Sequence, residues 1–321
     1  MSRLLPVIQK NAFADGSYKN LTLQWRSFIA FCLYYGLDWR QPCPRALARY
    51  AVFLAGSLKS PKSIAAYIRG VKTLFILLDW NHSHFDSVLV RMALKGVARL
   101  FLHQPRRAYP LTPDILFRLF KVLDFSSVPH IVFWALILTG FFTMARKSNL
   151  MISDSATDGA IPIKRSHVRH RSGMLVFYFV WSKTNQFGAR VHSVPVASIP
   201  NSVLCPVLAY ARMLQAVPAP PDSLAFIWPV GDSLVPVKYT KFHLLFRTCL
   251  AKIGLPSHKF SSHSMRRGGA THAFRMGVPG ELIQLLGDWK SDAYKTYLEV
   301  SLSQRYKAAS SMSAGCSFAP H

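Results

Sequence analysis

Apolar residues recur every three or four positions through most of the first hundred residues. Between Ser17 and Tyr35 the apolar side chains include Leu21, Leu23, Trp25, Phe28, Ile29, Cys32 and Leu33. This spacing lines them along one side of a helix, and Gly36 is a typical residue for ending it. Three further helices are predicted over residues 44–58, 61–78 and 85–102. Because no strand-like alternation interrupts them, this part of the chain is predicted to be an all-helical bundle.

The pattern changes after residue 102. Residues 103–113 contain three prolines and two arginines, which is typical of a linker between domains. Two helices are predicted at 114–123 and 128–143. Residues 174–181 are β-branched and aromatic, and a polar turn separates them from the alternating residues 189–196, so these segments predict a β-hairpin.

The remaining residues, from Cys205 onward, have helical patterns except for loops rich in proline and glycine around 217–236. The predicted fold class is therefore mainly α with a small β-hairpin sheet. Two domains are expected, at residues 1–107 and 108–321.

The charge of the chain is strongly unbalanced, with 39 Lys and Arg against 14 Asp and Glu, a formal net charge of +25 and a pI near 10.3. Residues 1–107 hold 16 of the basic residues against 4 acids, and residues 108–321 hold the other 23 against 10. The natural partner of such a surface is a polyanion, and the even spread suggests that phosphates are contacted from two sides. A basic surface without a partner is the alternative.

Membrane attachment fits the pattern less well. The most apolar stretch, residues 131–144, ends before Arg146 and Lys147, so it is shorter than the ~20 residues that span a bilayer and is predicted to be a buried helix. No signal-peptide pattern opens the sequence. The five cysteines are scattered without a Cys-x-x-Cys pair, which favours an intracellular location, the nucleus in a eukaryotic host.

Two motifs in the second half carry candidate chemistry: SSHSMRRGGATHAF at 261–274 and LLGDWKSDAYKTYL at 285–298. They resemble the catalytic domain of the tyrosine recombinase, or phage integrase, family. That family has a His-x-x-Arg motif, then a glycine followed by His or Trp, then a nucleophilic tyrosine. His263 and Arg266 match the first element, Gly287 and Trp289 the second, and Tyr297 the third.

Two further family elements lie upstream in the same order. Thr139-Gly140 closes the apolar stretch, and the arginine that follows in the family corresponds to Arg146. A lysine in a β-hairpin turn corresponds to Lys183, within WSKTNQFG. The resemblance therefore spans residues 139–298 by motif, and it implies that the helical first half is a core-binding domain.

The chemistry of a phosphodiester suits these residue types. Negative charge gathers on the nonbridging oxygens in the transition state, where the guanidinium groups of Arg146 and Arg266 are expected to bind. A tyrosine hydroxyl, with a reference pKa of about 10, needs neighbouring cations and a base to act as a nucleophile. Tyr297 is assigned this role, and Tyr294, three residues earlier on the predicted helix 292–300, is the fallback.

The resemblance implies roles for three more side chains. Lys183 is the expected general acid that protonates the leaving 5′ oxygen, the alternative being an ordinary solvated lysine. His263 is expected to exchange protons with the tyrosine or to hold the phosphate. Trp289 is expected to donate its indole N–H to the phosphate or to pack the site.

The sequence departs from the family pattern at two positions. Asn149 stands where the family has an acidic residue three positions after the first arginine, and Asp288 stands directly after Gly287, where histidine is frequent. A glycine followed by x-Trp, with Ser-Asp-Ala before the tyrosine, is similar to the eukaryotic DIRS-like and Crypton-like branch.

The resemblance implies a site-specific DNA recombinase or integrase of a mobile element, using a 3′-phosphotyrosine intermediate. No metal, nucleotide or small-molecule cofactor is implied, and the expected assembly is a homotetramer on two double-stranded DNA sites. The first contact surface for DNA is predicted at Lys62, Arg69 and Lys72 of the third helix, which share one face. A noncatalytic DNA-binding descendant and a type IB topoisomerase-like enzyme remain as alternatives.

Overall fold

The computed structural model describes residues 12–13, 15–103, 107–154, 160–182, 185, 190–298 and 302–313. The chain divides into two compact units, and the division falls between Arg106 and Arg107. Among the described residues, no helix is long and apolar enough to cross a membrane.

The first unit is helical. Its helices are α1 (Asp15–Tyr34), α2 (Pro44–Ala55), α3 (Pro61–Leu77) and α4 (Val88–Leu100). Prolines at the first position open α2 and α3, because this position needs no N–H donor. The predicted fourth helix is divided in two: a 3₁₀ turn at Ser83–Asp86 precedes α4, whose N-terminus is capped by Ser87.

Aromatic side chains make up much of the core of this unit. Phe28, Tyr50 and Phe75 are fully buried, and Trp25 packs edge-on against Phe75 and Trp39. The helical bundle predicted from the periodicity is therefore present, and its apolar stripes supply this core.

The second unit is mixed. Its helices are α5 (Pro113–Val122), α6 (Val128–Phe142), α7 (Lys147–Leu150), α8 (Pro206–Ala216), α9 (Tyr239–Lys252), α10 (His263–Arg275), α11 (Gly280–Leu286) and α12 (Leu302–Ser313). Its strands are β1 (Val168–Arg171), β2 (Met174–Phe179), β3 (His192–Ala197), β4 (Ile227–Val230) and β5 (Ser233–Pro236). The mainly α fold class is confirmed.

The buried helix α6 organises the second unit. Every residue from Ile131 to Phe141 is buried, which explains why the apolar stretch has no polar face. It packs against α8 and α10, and the three-stranded antiparallel sheet β1-β2-β3 contributes Phe177 and Val194 to the same core.

Three sequence expectations need correction here. The predicted hairpin exists as β2 and β3, with Met174 opposite Ala197 and Phe179 opposite His192, but β1 adds an unpredicted edge strand. The region 217–236, expected to be loop, contains the antiparallel hairpin β4–β5. The segment expected to be a linker is also partly packed: the N–H groups of Tyr109 and Leu111 donate to the carbonyls of Lys259 and Ser264.

Candidate active site

Helix α10 carries Arg266 into the interior of the second unit. The Arg266 side chain is buried, and its guanidinium donates to the carbonyl oxygens of Met144 and, at 2.7 Å, Gly287. The same group lies 3.8 Å from the centre of the Trp289 ring. Burial lowers the pKa of Arg266, and the charge of Arg146 lowers it further. Arg266 is therefore a cation fixed in place by carbonyl and ring contacts.

Two glycines allow α10 to come this close to its neighbours. A Cβ atom on Gly268 would lie 2.2 Å from the carbonyl oxygen of Leu111, and one on Gly269 would lie 2.0 Å from that of Phe141. Both contacts are with backbone, which cannot rotate away. The Gly-Gly pair of the motif is thus needed for the packing that positions Arg266.

Arg146 lies between α6 and α7, at the N-terminal boundary of α7. Its Nη1 donates to a carboxylate oxygen of Asp288 at 2.9 Å, and its Nη2 donates to the Asp288 carbonyl oxygen at 2.9 Å. Two N–H groups of one guanidinium therefore bind one residue, which fixes the plane of the group.

Asp288 is a buried acid that gathers several donors. Besides Arg146, its carboxylate accepts hydrogen bonds from Arg190 and, at 2.7 Å, from the hydroxyl of Ser182. Its backbone has φ = 53°, a left-handed conformation that few residues other than glycine adopt. The sequence indicated this position as a departure but gave no sign of its partners.

Tyr297 ends a 3₁₀ helix, Asp292–Tyr297, and not the longer helix 292–300 that the sequence predicts; residues 299–300 lie outside the described residues. Its half-buried ring is 5.3 Å from Trp289 and 5.8 Å from the Arg266 guanidinium. The Thr271 hydroxyl donates to its carbonyl oxygen at 2.8 Å, which holds the 3₁₀ helix against α10.

Tyr294 has a different environment. Its side chain is buried, and a Cβ atom on Gly280 would lie 2.5 Å from its hydroxyl oxygen. Its ring is 6.3 Å from Trp289. Tyr294 is thus packed against α11, whereas Tyr297 is partly open to solvent beside Arg266.

His263 is the first residue of α10 and its side chain is exposed. The pKa of its imidazole is lowered first by partial burial and then by the positive charges of Arg266, Lys147 and Arg146. Trp289, in contrast, is buried with its ring against Arg266.

Lys183 lies outside the described residues, whereas Ser182 before it and Asn185 after it are described. Ser182 and Asn185 pair through their backbones, with the Asn185 N–H 2.9 Å from the Ser182 carbonyl oxygen. The buried Asn149 amide donates to the Trp181 carbonyl oxygen at 2.7 Å. Asn149 therefore holds the backbone at Trp181, and the carboxylate beside Arg146 comes from Asp288.

The predicted DNA-contact residues lie on α3 of the first unit. Lys62 and Arg69 are exposed, whereas Lys72 forms an ion pair with Asp86 at 2.6 Å. That contact lowers the pKa of Asp86. Within the described parts of the chain, no three His, Cys, Asp or Glu side chains are grouped so that they could hold a metal ion.

Comparisons with known proteins agree with these motifs. No family model matches the chain. It is 22% identical over 264 residues to an integrase/recombinase XerD homolog of Selenomonas ruminantium, a match that covers 81% of this chain and 74% of that protein.

Solved structures share the fold. One is the XerH site-specific recombinase bound to its difH substrate before cleavage, with a TM-score of 0.60, 13% identity, and coverage of 92% of this chain and 78% of that one. Another is a lambda integrase dimer bound to a COC′ core site, with a TM-score of 0.58, 14% identity, and coverage of 95% and 76%. The chain therefore has the fold of these recombinases and integrases, and its sequence is similar to that of the XerD homolog.

Proposed function

We propose that this chain is a tyrosine recombinase that cleaves and rejoins double-stranded DNA through a 3′-phosphotyrosine on Tyr297. The observation that carries the proposal is the environment of Arg266. Its buried guanidinium lies 5.8 Å from the centre of the Tyr297 ring, and the charge of Arg146 lowers the pKa of Arg266. A phenol close to one guanidinium, with a second guanidinium lining the same pocket as the first, meets the needs of attack on a phosphodiester.

In the proposed reaction the Tyr297 oxygen attacks phosphorus and the bond to the 5′ oxygen breaks. Arg146 and Arg266 stabilise the charge on the nonbridging oxygens, His263 exchanges the phenolic proton, and Lys183 protonates the leaving oxygen. The 5′-hydroxyl of a partner strand then attacks the phosphotyrosine and releases Tyr297. Each step replaces one phosphoester bond with another, so the reaction consumes no nucleotide.

The finer parts of the proposal rest on the sequence. The Gly287-x-Trp289 pattern and Ser291-Asp292-Ala293 favour the DIRS-like or Crypton-like branch. The assembly proposed is a homotetramer on two DNA sites, which light scattering of the DNA complex would measure as four chains. The DNA-bound recombinase and integrase structures with the same fold support DNA as the partner.

Covalent capture tests the reaction without knowledge of the target site. The full chain is incubated with a pool of randomised duplexes that carry a nick, so that the small cleaved fragment diffuses away and the protein–DNA adduct accumulates. Denaturing gels detect the adduct, and mass spectrometry of peptides locates the phosphotyrosine. The matched variants are Tyr297→Phe and Tyr294→Phe, each of which removes one hydroxyl.

We expect adducts with the wild type and Tyr294→Phe and none with Tyr297→Phe. Tyr297→Phe should still bind DNA with the affinity of the wild type. The reverse result for the two tyrosines would move the nucleophile to Tyr294. DNA binding by the wild type without any adduct would instead identify a noncatalytic DNA-binding descendant.

A further inference from the structure

We propose that Arg190 is a third guanidinium that binds the scissile phosphate, and that the buried carboxylate of Asp288 positions it together with Arg146. This inference rests on the proposed function, because it assigns residues to the same phosphate site. Arg190 belongs to none of the motifs that the sequence singles out.

The two oxygens of the Asp288 carboxylate bind different partners. Oδ2 accepts from Arg146 at 2.9 Å and from Ser182 at 2.7 Å, and Oδ1 accepts from Arg190. One planar carboxylate therefore bridges the two guanidinium groups and fixes the spacing between them.

Exposure increases outward through this cluster. The Asp288 side chain is 5% exposed, that of Arg146 is 19% exposed and that of Arg190 is 50% exposed. A phosphate arriving from solvent meets the guanidinium groups before it meets the carboxylate. Asp288 thus lies behind the arginines and orients them, and it does not compete with DNA for the outer face of the site.

The contact with Asp288 leaves other N–H donors of Arg190 available to bind a phosphate. A guanidinium carries five N–H donors in a rigid fork, and the contact with Asp288 is made through Nη2. The remaining edges of the fork can bind nonbridging oxygens in the geometry that arginine favours for phosphate. Arg190 lies two residues before β3, and its carbonyl oxygen accepts a hydrogen bond from the side-chain amide of Asn185, which holds its backbone.

The charges of the cluster also fit the reaction. Arg146, Arg190 and Arg266 with Asp288 leave two net positive charges, while a phosphodiester carries one negative charge and its phosphorane transition state carries two. Without the carboxylate, the guanidinium groups of Arg146 and Arg190 would repel each other. Asn149 cannot supply this charge, because its neutral amide donates to the Trp181 carbonyl oxygen.

The test uses a duplex recovered as a wild-type adduct and resynthesised with either a phosphodiester or an uncharged methylphosphonate at the scissile position. Single-turnover adduct formation is measured for the full-length wild type, Arg190→Ala, Asp288→Asn, and the control Arg171→Ala, an exposed arginine of the edge strand β1. On the phosphodiester, Arg190→Ala and Asp288→Asn should each be about 10- to 100-fold slower at unchanged DNA affinity. Arg171→Ala should match the wild type.

Three kinetic results distinguish a role in binding the phosphate from a role in maintaining the fold. The loss in Arg190→Ala should largely disappear on the methylphosphonate, which has no charge to stabilise. Arg190→Lys should recover part of the rate. The double variant Arg190→Ala/Asp288→Asn should be no slower than the slower of the two single variants, since both substitutions remove the same interaction. Wild-type rates for Arg190→Ala, or an equal loss on both substrates, overturn the inference.

A second arm does not depend on cleavage. Orthovanadate is a tetrahedral analogue of phosphate and takes the five-coordinate geometry of a phosphorane when a hydroxyl oxygen coordinates it. It is titrated against the same proteins by calorimetry, and Arg190→Ala should bind it about tenfold more weakly than the wild type and Arg171→Ala. Equal binding overturns the inference even if the wild type forms no DNA adduct. Absence of a wild-type adduct, in contrast, counts against the proposed function alone.

Discussion

At the scale of single residues, motif order is enough to single out Arg146, Arg266, Trp289 and Tyr297, and the fold brings them together. Their catalytic roles stay predictions. Asp288 and Arg190 could not be paired from the sequence, because they are 98 positions apart and each looks like an ordinary surface charge. Their interaction depends on the folded hairpin and on the left-handed backbone at Asp288.

The pH dependence of cleavage is predicted from His263. Its pKa lies below the usual 6.5 because of burial and neighbouring cations, so the imidazole is neutral at pH 7 and gains a proton only in more acidic solution. If it accepts the Tyr297 proton, adduct formation should decline as the pH falls, with a midpoint below the 6.5 of an ordinary imidazole. A series of single-turnover rates across pH measures this.

Histidine variants provide the control for that series. His263→Gln should be slower throughout and should lose the acidic decline, whereas the exposed His258→Gln should retain the wild-type profile. An acidic decline that persists in His263→Gln would assign the titration to another group.

At the scale of helices and strands, periodicity predicts the helices well and the sheets only in part. An amphipathic or fully apolar helix, such as α4 or α6, can be predicted from the pattern of its own residues. The strand β1 does not, because Val168–Arg171 is a mostly exposed, basic edge strand. Pro229 and Gly231 make β4–β5 look like a loop, although pairing between the two strands decides the structure.

Replacement of Gly269 tests how closely α10 must pack. The added methyl of Gly269→Ala would lie 2.0 Å from the Phe141 carbonyl oxygen, so α10 must shift and the free energy of unfolding should fall by about 1–3 kcal/mol. Urea denaturation of the full chain measures the change. The control is Gly96→Ala in α4, which meets nothing within 4 Å and should be neutral or stabilising by about 0.5–1 kcal/mol.

At the scale of the whole molecule, the excess of basic residues in both halves is a property that composition alone reveals. Composition does not reveal which of those basic residues are free to contact DNA. Lys62 and Arg69 are exposed, while Lys72 is paired with Asp86 across 2.6 Å. The spacing that places all three on one face could not predict this, because Asp86 belongs to a separate 3₁₀ turn.

We predict that residues 1–107, with a net charge of +12, bind duplex DNA with a steep salt dependence. Each Lys or Arg that binds a phosphate releases counterions from the DNA, and added salt opposes this release. Lys62→Ala and Arg69→Ala should each reduce the slope of log affinity against log salt by about 1. Lys72→Ala should reduce it less, since its ammonium is already neutralised. Fluorescence anisotropy over a range of salt concentrations measures the slopes, and salt-independent binding would contradict the prediction.

The Asp288 cluster also has a consequence for how the enzyme acquires activity. The partners of this carboxylate, Arg146, Ser182 and Arg190, are 142, 106 and 98 residues away along the chain. Contacts between such distant residues form only after the intervening chain is largely ordered. A partly synthesised or partly unfolded chain therefore has basic surface but no assembled cleavage site. Under the proposed function, the chain therefore gains its capacity to cleave DNA only late in folding.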